Sequence, residues 1–372
     1  MSGLDVGKAN RCKLIPFEVC PWRAISGVQL APNGRHLSFV HSRRCLVELT
    51  KESRRTVPQV EHSDLYLISA VGGYPQPITS SGDFFKPAAW SPNGEVLAFE
   101  RGPGLQTMSW QGADLRTVLR VKLASPSLDI GDAYLSYPTW RPTDGQFILV
   151  GTTEAPVATL EVVRADGGAQ NRLFSVDGSI VCWDWSPDGR YIAAVTRSQN
   201  GWDCQILVLE AETGLVVRTW DEPDCEYKAP IAAWTPDGKH IVFRSNRSGW
   251  AKLWIVGLDN AEPCQLTKGD WDDYAFRFSL DGQRIVYASR AATQGRGSGD
   301  DLWLMGLCGE PPAAQLTQLP GVTAPLAWSR DGQVYFWHSS PTEPGDLWSV
   351  SDGGGNPSRL TTTAPLQLTH IH

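Results

Sequence analysis

A ten-residue phrase built around a Pro-Asp-Gly turn recurs through the whole chain and constrains the fold more than any other feature. It reads LAPNGRHLSF at Leu30–Phe39, WSPNGEVLAF at Trp90–Phe99 and WRPTDGQFIL at Trp140–Leu149. It returns as WSPDGRYIAA (Trp185–Ala194), WTPDGKHIVF (Trp234–Phe243), FSLDGQRIVY (Phe278–Tyr287) and WSRDGQVYFW (Trp328–Trp337). The turn glycines are Gly34, Gly94, Gly145, Gly189, Gly238, Gly282 and Gly332, spaced by 60, 51, 44, 49, 44 and 50 residues. A strand ends in a large apolar residue, the chain turns, and an alternating apolar strand returns. Proline presets φ for the second turn position, Asp or Asn tolerates the third, and glycine supplies a positive φ at the end. This pattern predicts a type I turn closed by a left-handed glycine, a common hairpin connection.

A second phrase follows each of these. It is clearest as DLYLIS and the following GGYPQPIT (Asp64–Thr79), KLWIVGLDNAEPCQLT (Lys252–Thr267), DLWLMGLCGEPPAAQLT (Asp301–Thr317) and DLWSVSDGGGNPSRLT (Asp346–Thr361). Weaker copies run over Gln106–Leu119, Thr159–Phe174 and Gln205–Trp220. Each repeat therefore predicts four strands joined as a meander. A twisted four-stranded sheet cannot bury both faces alone, but seven arranged radially bury each face against a neighbour. The expected fold is all-β, a seven-bladed β-propeller of four-stranded antiparallel blades. Its blades fall at about 26–79, 87–119, 137–174, 181–220, 230–267, 274–317 and 324–361, between a lead-in segment 1–25 and a tail 362–372. Sixteen tryptophans in 372 residues then have a structural reason, since Trp90, Trp140, Trp185, Trp234 and Trp328 fill the space between sheets. Ring closure has two readings: Leu14–Val19 adds an outer strand to the last blade, or the first and last blades meet by side-chain packing.

Composition narrows the function classes. A formal net charge of −7 argues against a nucleic-acid partner, whose usual footprint is a basic face. No run of 18 apolar residues occurs, so no membrane-spanning helix is expected. The first twenty residues lack the apolar core of a secretory signal, and a cytoplasmic location is the default expectation. Eight cysteines form no C-x-x-C pair and read as reduced thiols.

The phrases W-S-P-D-G and D-L-W with its closing R-L-T resemble the TolB-like, WD-repeat-like propellers. The stretch FRSNRSGWAKLWIVGLDNAEPCQLTKGDWDDYAFRFSLDGQRIVYAS (Phe243–Ser289) is similar to the N-terminal propellers of prolyl oligopeptidase-family serine peptidases, of the acylaminoacyl- and dipeptidyl-peptidase type. The opening RAISGVQLAPNGRHLSFV (Arg23–Val40) looks like the start of such a propeller. The closing RLTTTAPLQLTHIH (Arg359–His372) resembles the join to its peptidase domain. TolB has six blades, so a count of seven points toward the peptidases. The resemblance implies a domain that limits access of short peptides to a serine-peptidase site. These 372 residues contain no G-x-S-x-G nucleophile elbow; Gly295-Arg296-Gly297-Ser298-Gly299 has the wrong spacing. No catalytic residue is therefore assigned, and a free-standing protein-interaction scaffold is the alternative.

Other chemistry leaves few candidates. Phosphate-loop, dinucleotide and H-E-x-x-H patterns are absent from the sequence, and neither a cofactor nor a metal site is expected. Asp270, Trp271, Asp272 and Asp273 can bind a substrate amine beside a stacking ring, or form a polar loop between blades. Arg43, Arg44, Arg54 and Arg55 lie in an insert at 41–63 and can grip a carboxylate, or belong to a solvated loop. Arg296 sits in a Gly-rich stretch at 291–300. In a meander all these segments share one face with both chain termini, opposite the Pro-Asp-Gly turns. A peptide or protein partner, including an α/β-hydrolase domain, is expected there.

Overall fold

A computed structural model describes residues 22–48, 56–82, 87–101, 104–120, 138–154, 156–199, 203–222, 232–259, 262–291, 299–307, 313–340 and 343–362. Every regular element among them is a β-strand, so no described helix is long and apolar enough to cross a membrane. The first sheet contains β1 (Trp22–Leu30), β2 (His36–Glu48), β3 (Thr56–Ser69) and β4 (Gln76–Pro77). The second contains β5 (Ala89–Trp90), β6 (Val96–Glu100), β7 (Leu105–Ser109) and β8 (Arg116–Leu119). A seven-stranded sheet follows: β9 (Thr139–Trp140), β10 (Phe147–Glu154), β11 (Val157–Arg164), β12 (Gln170–Trp185), β13 (Tyr191–Ser198), β14 (Cys204–Glu210) and β15 (Val216–Glu222). Three further four-stranded sheets are β16 (Ala232–Trp234) to β19 (Cys264–Gln265), through β17 (His240–Ser245) and β18 (Lys252–Gly257); β20 (Asp273–Phe278) to β23 (Ala314–Gln315), through β21 (Arg284–Ser289) and β22 (Asp301–Gly306); and β24 (Val322–Trp328) to β27 (Ser358–Arg359), through β25 (Gln333–Ser340) and β26 (Glu343–Ser351). Within each sheet the strands pair antiparallel in chain order.

Two boundaries differ from expectation. The strand β1 begins at Trp22, inside the expected lead-in 1–25, because Trp22 and Arg23 pair with Arg44 and Arg43 of a lengthened β2. No loop separates the third and fourth repeats. The strand β12 pairs with β11 through Asp177 and with β13 from Gly178 onward, so an outer strand of one repeat runs straight into the inner strand of the next. Gly178 makes the switch possible: its φ is 139°, and its N–H donates to Pro156 O at 3.0 Å.

The core lies between sheets. Leu65 and Leu67 pack on Trp90 and Phe99. Ala98 and Leu105 pack on Trp140 and Ile148. Leu149 and Leu160 meet Trp183 and Trp185 across the folded halves of the long sheet. Val195 and Ile206 meet Trp234 and Phe243, Val242 and Leu253 meet Phe276 and Tyr287, and Val286 and Leu302 meet Trp328 and Phe336. A last cluster joins Leu326, Tyr335 and Leu347 to Ile25, Leu37 and Phe39, so the final sheet packs on the first and closes the array. Leu14–Val19 lie outside the described residues. Inner strands of neighbouring sheets touch at β5–β9, β12–β16, β20–β24 and β24–β1, which puts the first strand of each sheet at the centre. This is the radial sheet arrangement of a β-propeller.

Burial follows position in the sheet. The strands β13, β17 and β21 are buried on both faces, which is why they read as continuous apolar runs rather than alternating ones. The outer β4 is exposed. The tryptophans add directed bonds: the indole N–H of Trp90 donates to Ser38 Oγ (2.9 Å), that of Trp140 to Ala89 O (2.9 Å) and that of Trp185 to Thr139 O (3.2 Å), each reaching the preceding repeat.

Both sequence phrases have a hydrogen-bond logic. In the turn phrase the glycine N–H returns to the carbonyl three residues back at Gly34, Gly94, Gly189, Gly238, Gly282 and Gly332. The turn hydroxyl donates to the turn acid, as in Ser186–Asp188 and Thr235–Asp237, both 2.6 Å. All seven turn glycines have φ between 60° and 81°. In the second phrase a buried Asp clips a strand pair: Thr79, Thr317 and Thr361 donate to Asp64, Asp301 and Asp346 at 2.7, 3.1 and 2.7 Å. The N–H of the following leucine donates to the same threonine oxygen, 3.0 Å for Leu65 and 2.9 Å for Leu302.

The turns also pack on one another around the centre. A methyl group at Gly145 would stand 3.0 Å from Pro92, at Gly238 3.5 Å from Pro187, and at Gly282 3.3 Å from Pro236. These three glycines thus seat on the turn proline of the preceding repeat and Gly189 on Thr143 and Arg141 of its preceding turn, so the turns form a collar. Replacing Gly189 or Gly238 by valine forces a branched side chain into the left-handed region and crowds this collar. A loss of about 1–3 kcal/mol in urea unfolding is expected at either position; unchanged unfolding midpoints would rule out the turn geometry.

Candidate functional site

The Asp270–Asp273 run connects β19 to β20 on the face away from the collar. Only Asp270 is exposed. Trp271 folds back so that its ring lies over Gly269, where a methyl group would fall 2.3 Å from ring carbons; Gly269 has φ 111°. The ammonium of Lys252 stands 4.9 Å from the centroid of the same ring. Lys252 occupies the place that Asp64, Asp301 and Asp346 hold in other repeats, and its charge is met by Asp273 at 3.0 Å. Both side chains are 1% exposed. Asp272 accepts the Ala251 N–H at 2.9 Å and the Tyr274 hydroxyl at 3.4 Å. The Arg290 guanidinium lies 5.0 Å from the Tyr274 ring centroid and donates to Asp300 at 3.0 Å. Burial, with Asp272 and Asp300 nearby, pushes the Tyr274 hydroxyl well above its usual range despite Arg290.

The run therefore divides. Asp272 and Asp273 join repeats to each other, whereas Asp270 presents a carboxylate to solvent. Trp250, which precedes Ala251, is 44% exposed on the same face. The sequence signal of Trp250 is a Trp after a turn glycine in SNRSGW rather than within an apolar strand. An exposed acid and an exposed indole on neighbouring loops can receive an amine and an apolar side chain of a peptide.

The arginine insert needs a correction. Residues 41–63 were expected as an insert, with a solvated loop as one reading. The strands β2 and β3 instead pair continuously from His36↔Ser69 to Glu48↔Thr56, with a bulge between Arg43 and Arg44. The physical reason is the apolar, β-branched content of CLVE and TVPQV, which supports a ladder. Arg43 lies opposite His62 and Arg44 opposite Val60 along the backbone. Arg54, Arg55 and Arg296 lie outside the described residues, as does most of the 291–300 stretch. Of the arginines singled out, only the backbone positions of Arg43 and Arg44 are therefore described, both on the β2 ladder.

Two charged residues near the centre emerge when the repeats are superposed. The residue preceding the turn-phrase aromatic is Gln29, Ala89, Thr139, Asp184, Ala233, Arg277 and Ala327 in turn. Asp184 accepts the Trp234 N–H at 3.1 Å. Burial raises its carboxyl to about 7, and the favourable charge of Arg277 only partly offsets this. Arg277 is anchored by donating to Leu326 O at 2.8 Å and Phe276 O at 2.7 Å. Cys182 and Cys204 are thiols in the core beside Trp234, and burial holds Cys182 at about 12, so it is chemically quiet. Among the described residues no group of three or more His, Cys, Asp or Glu is placed to hold a metal ion.

Comparison with known proteins decides the family. The model of the dipeptidyl peptidase IV (DPP IV) N-terminal region matches residues 18–298. The chain belongs to that family. A curated relative, dipeptidyl-peptidase 5 of Porphyromonas gingivalis, is 30% identical over 98 residues, which cover 25% of this chain and 14% of that protein. A puromycin-hydrolyzing peptidase of Mycobacterium tuberculosis superposes with a TM-score of 0.68 at 15% identity, over 93% of this chain and 54% of that one. TolB of Acinetobacter baumannii superposes with a TM-score of 0.50 at 17% identity, over 87% of this chain and 79% of its own. At these identities the structural likenesses speak for the propeller fold. The chain spans 14% of the curated peptidase and about half of the mycobacterial one.

Two measurements probe the buried charges. Lys252→Met leaves Asp273 buried without its cation and is expected to cost about 3–5 kcal/mol in urea unfolding. The double variant Lys252→Met with Asp273→Leu recovers most of that loss; equal losses in both would show the pair to be uncoupled. Asp184 holds a proton in the folded state that the unfolded chain has released, between about pH 4 and pH 7. Stability contributed at this position therefore falls as pH rises through that window. Asp184→Asn keeps the acceptor for Trp234 without the charge, so its melting temperature rises relative to the parent from pH 5 to pH 8. A pH-independent difference would show that the carboxyl titrates normally.

Proposed function

We propose that these residues form a seven-bladed, non-catalytic gating propeller for an oligopeptide-cleaving serine peptidase. The observation that carries the reading is the family match, which is to the N-terminal region of a dipeptidyl peptidase. Seven blades are supported by seven turn phrases and by division of the long sheet at Gly178 into two repeats that pack face to face. On this reading the collar-free face receives the α/β-hydrolase part. The propeller then restricts access to short peptides by size, while Asp270, Trp250 and the β2–β3 hairpin border their path. Its contribution is exclusion and orientation rather than a reacting group.

The protein of 372 residues is expected to show no turnover of aminoacyl or dipeptidyl p-nitroanilides and no labelling by a serine-directed fluorophosphonate. Turnover blocked by that reagent, with the label on one of these residues, would overturn the non-catalytic reading. The gating reading also expects a G-x-S-x-G hydrolase to be encoded directly after codon 372. Unrelated sequence there would favour an interaction scaffold instead.

A further inference from the structure

The collar of turns has one break. The second turn position is Pro32, Pro92, Pro142, Pro187 and Pro236 in the first five repeats, but Leu280 and Arg330 in the last two. The seats change accordingly. The space beside Gly332 is taken by Asp352 rather than by the preceding turn, and Gly34 has nothing within 4 Å where a neighbouring turn would stand. A cavity of about 390 Å³ opens at this break, where the last three turns in ring order, those at Gly282, Gly332 and Gly34, fail to close on one another.

Its charged lining is basic. Arg277 and Arg330 line it, and no Asp or Glu does, in a protein of net charge −7. The guanidinium of Arg277 is oriented by its bonds to Leu326 O and Phe276 O. Arg330 is exposed at the rim. The walls are apolar: Leu326 and Trp328 are buried, and Leu280 is 60% exposed although it is a large aliphatic side chain. The nearby Asp331 is engaged by the Ser329 hydroxyl and Asp352 by Arg284; Asp184, close enough to feel the charge of Arg277, does not line the cavity.

We propose that this break is a binding subsite for a carboxylate carried on an apolar group, with Arg277 and Arg330 holding the anion and Leu280, Leu326 and Trp328 the apolar body. Planar guanidinium groups match carboxylate geometry, and the volume suits a ligand of one to three residues. A peptide C-terminus ending in an aliphatic residue and a small free acid share this chemistry. The site goes beyond the gating reading, lies on the opposite face, and is tested without any hydrolase.

The test is calorimetric titration of the 372-residue protein with N-acetyl-leucine, N-acetyl-leucinamide, Gly-Gly-Leu and Gly-Gly-Leu amide. Each acid is expected to bind at least about tenfold more tightly than its amide, since only the acid presents an anion. Tighter binding of the tripeptide assigns a peptide C-terminus, and tighter binding of acetyl-leucine assigns a small acid. Arg330→Gln, an exposed change that leaves the melting curve unaltered, lowers acid affinity about tenfold and leaves amide affinity unchanged. Arg190→Gln, on an intact part of the collar, changes neither. Equal binding of acid and amide, no binding of any probe, or an equal loss in the Arg190 variant would each overturn the assignment.

Discussion

Burial of both faces of each small twisted sheet is the constraint on which the rest of this structure depends. A strand such as β13 or β21 is apolar on both sides and has no stable exposure to water except between two neighbours. Radial packing satisfies that demand for every sheet only when the last one meets the first, and Leu326, Tyr335 and Leu347 against Leu37 and Phe39 do so. Each buried aromatic in these clusters contributes about 1.5–3 kcal/mol of transfer free energy, spread around the whole ring. Stability is therefore distributed, and the loops between strands are left free to vary.

Polar groups inside such a core need partners, and this protein supplies them by repetition. Asp64, Asp301 and Asp346 each clip an outer strand through a threonine hydroxyl and a backbone N–H. The repeat beginning at Lys252 breaks the rule, and the ring answers from outside the repeat: Asp273 of the next sheet neutralises the ammonium, and Trp271 covers it. An acidic run that resembles a ligand site when read linearly thus holds a repair to the core at one end and a solvent-facing carboxylate, Asp270, at the other.

The two faces of the array have different characters for the same reason. Short turns of fixed geometry crowd together on one face, and where their pattern departs, at Leu280 and Arg330, two arginines line a cavity. The opposite face carries the longer and more varied connections, including the extended β2–β3 hairpin and the two neighbouring loops that hold Trp250 and Asp270.

Much of this was legible in the residues. The turn phrases announced antiparallel strands, positive φ at seven glycines and aromatic packing between sheets, because turn stereochemistry and apolar alternation act over a few neighbouring residues. The clip between Asp and Thr was visible as a phrase but not as a bond, since its partners lie 14 to 16 residues apart on different strands. The extended pairing of β2 with β3 through the arginine insert was not legible, because it depends on register between two strands, which composition does not carry. Which acids are spent on the core, where Asp184 and Arg277 stand, how the ring closes and where the collar breaks are set by distances between repeats. Local sequence determined the blade as a unit; only the packing of the repeats around a common centre decided which side chains were left to meet a ligand.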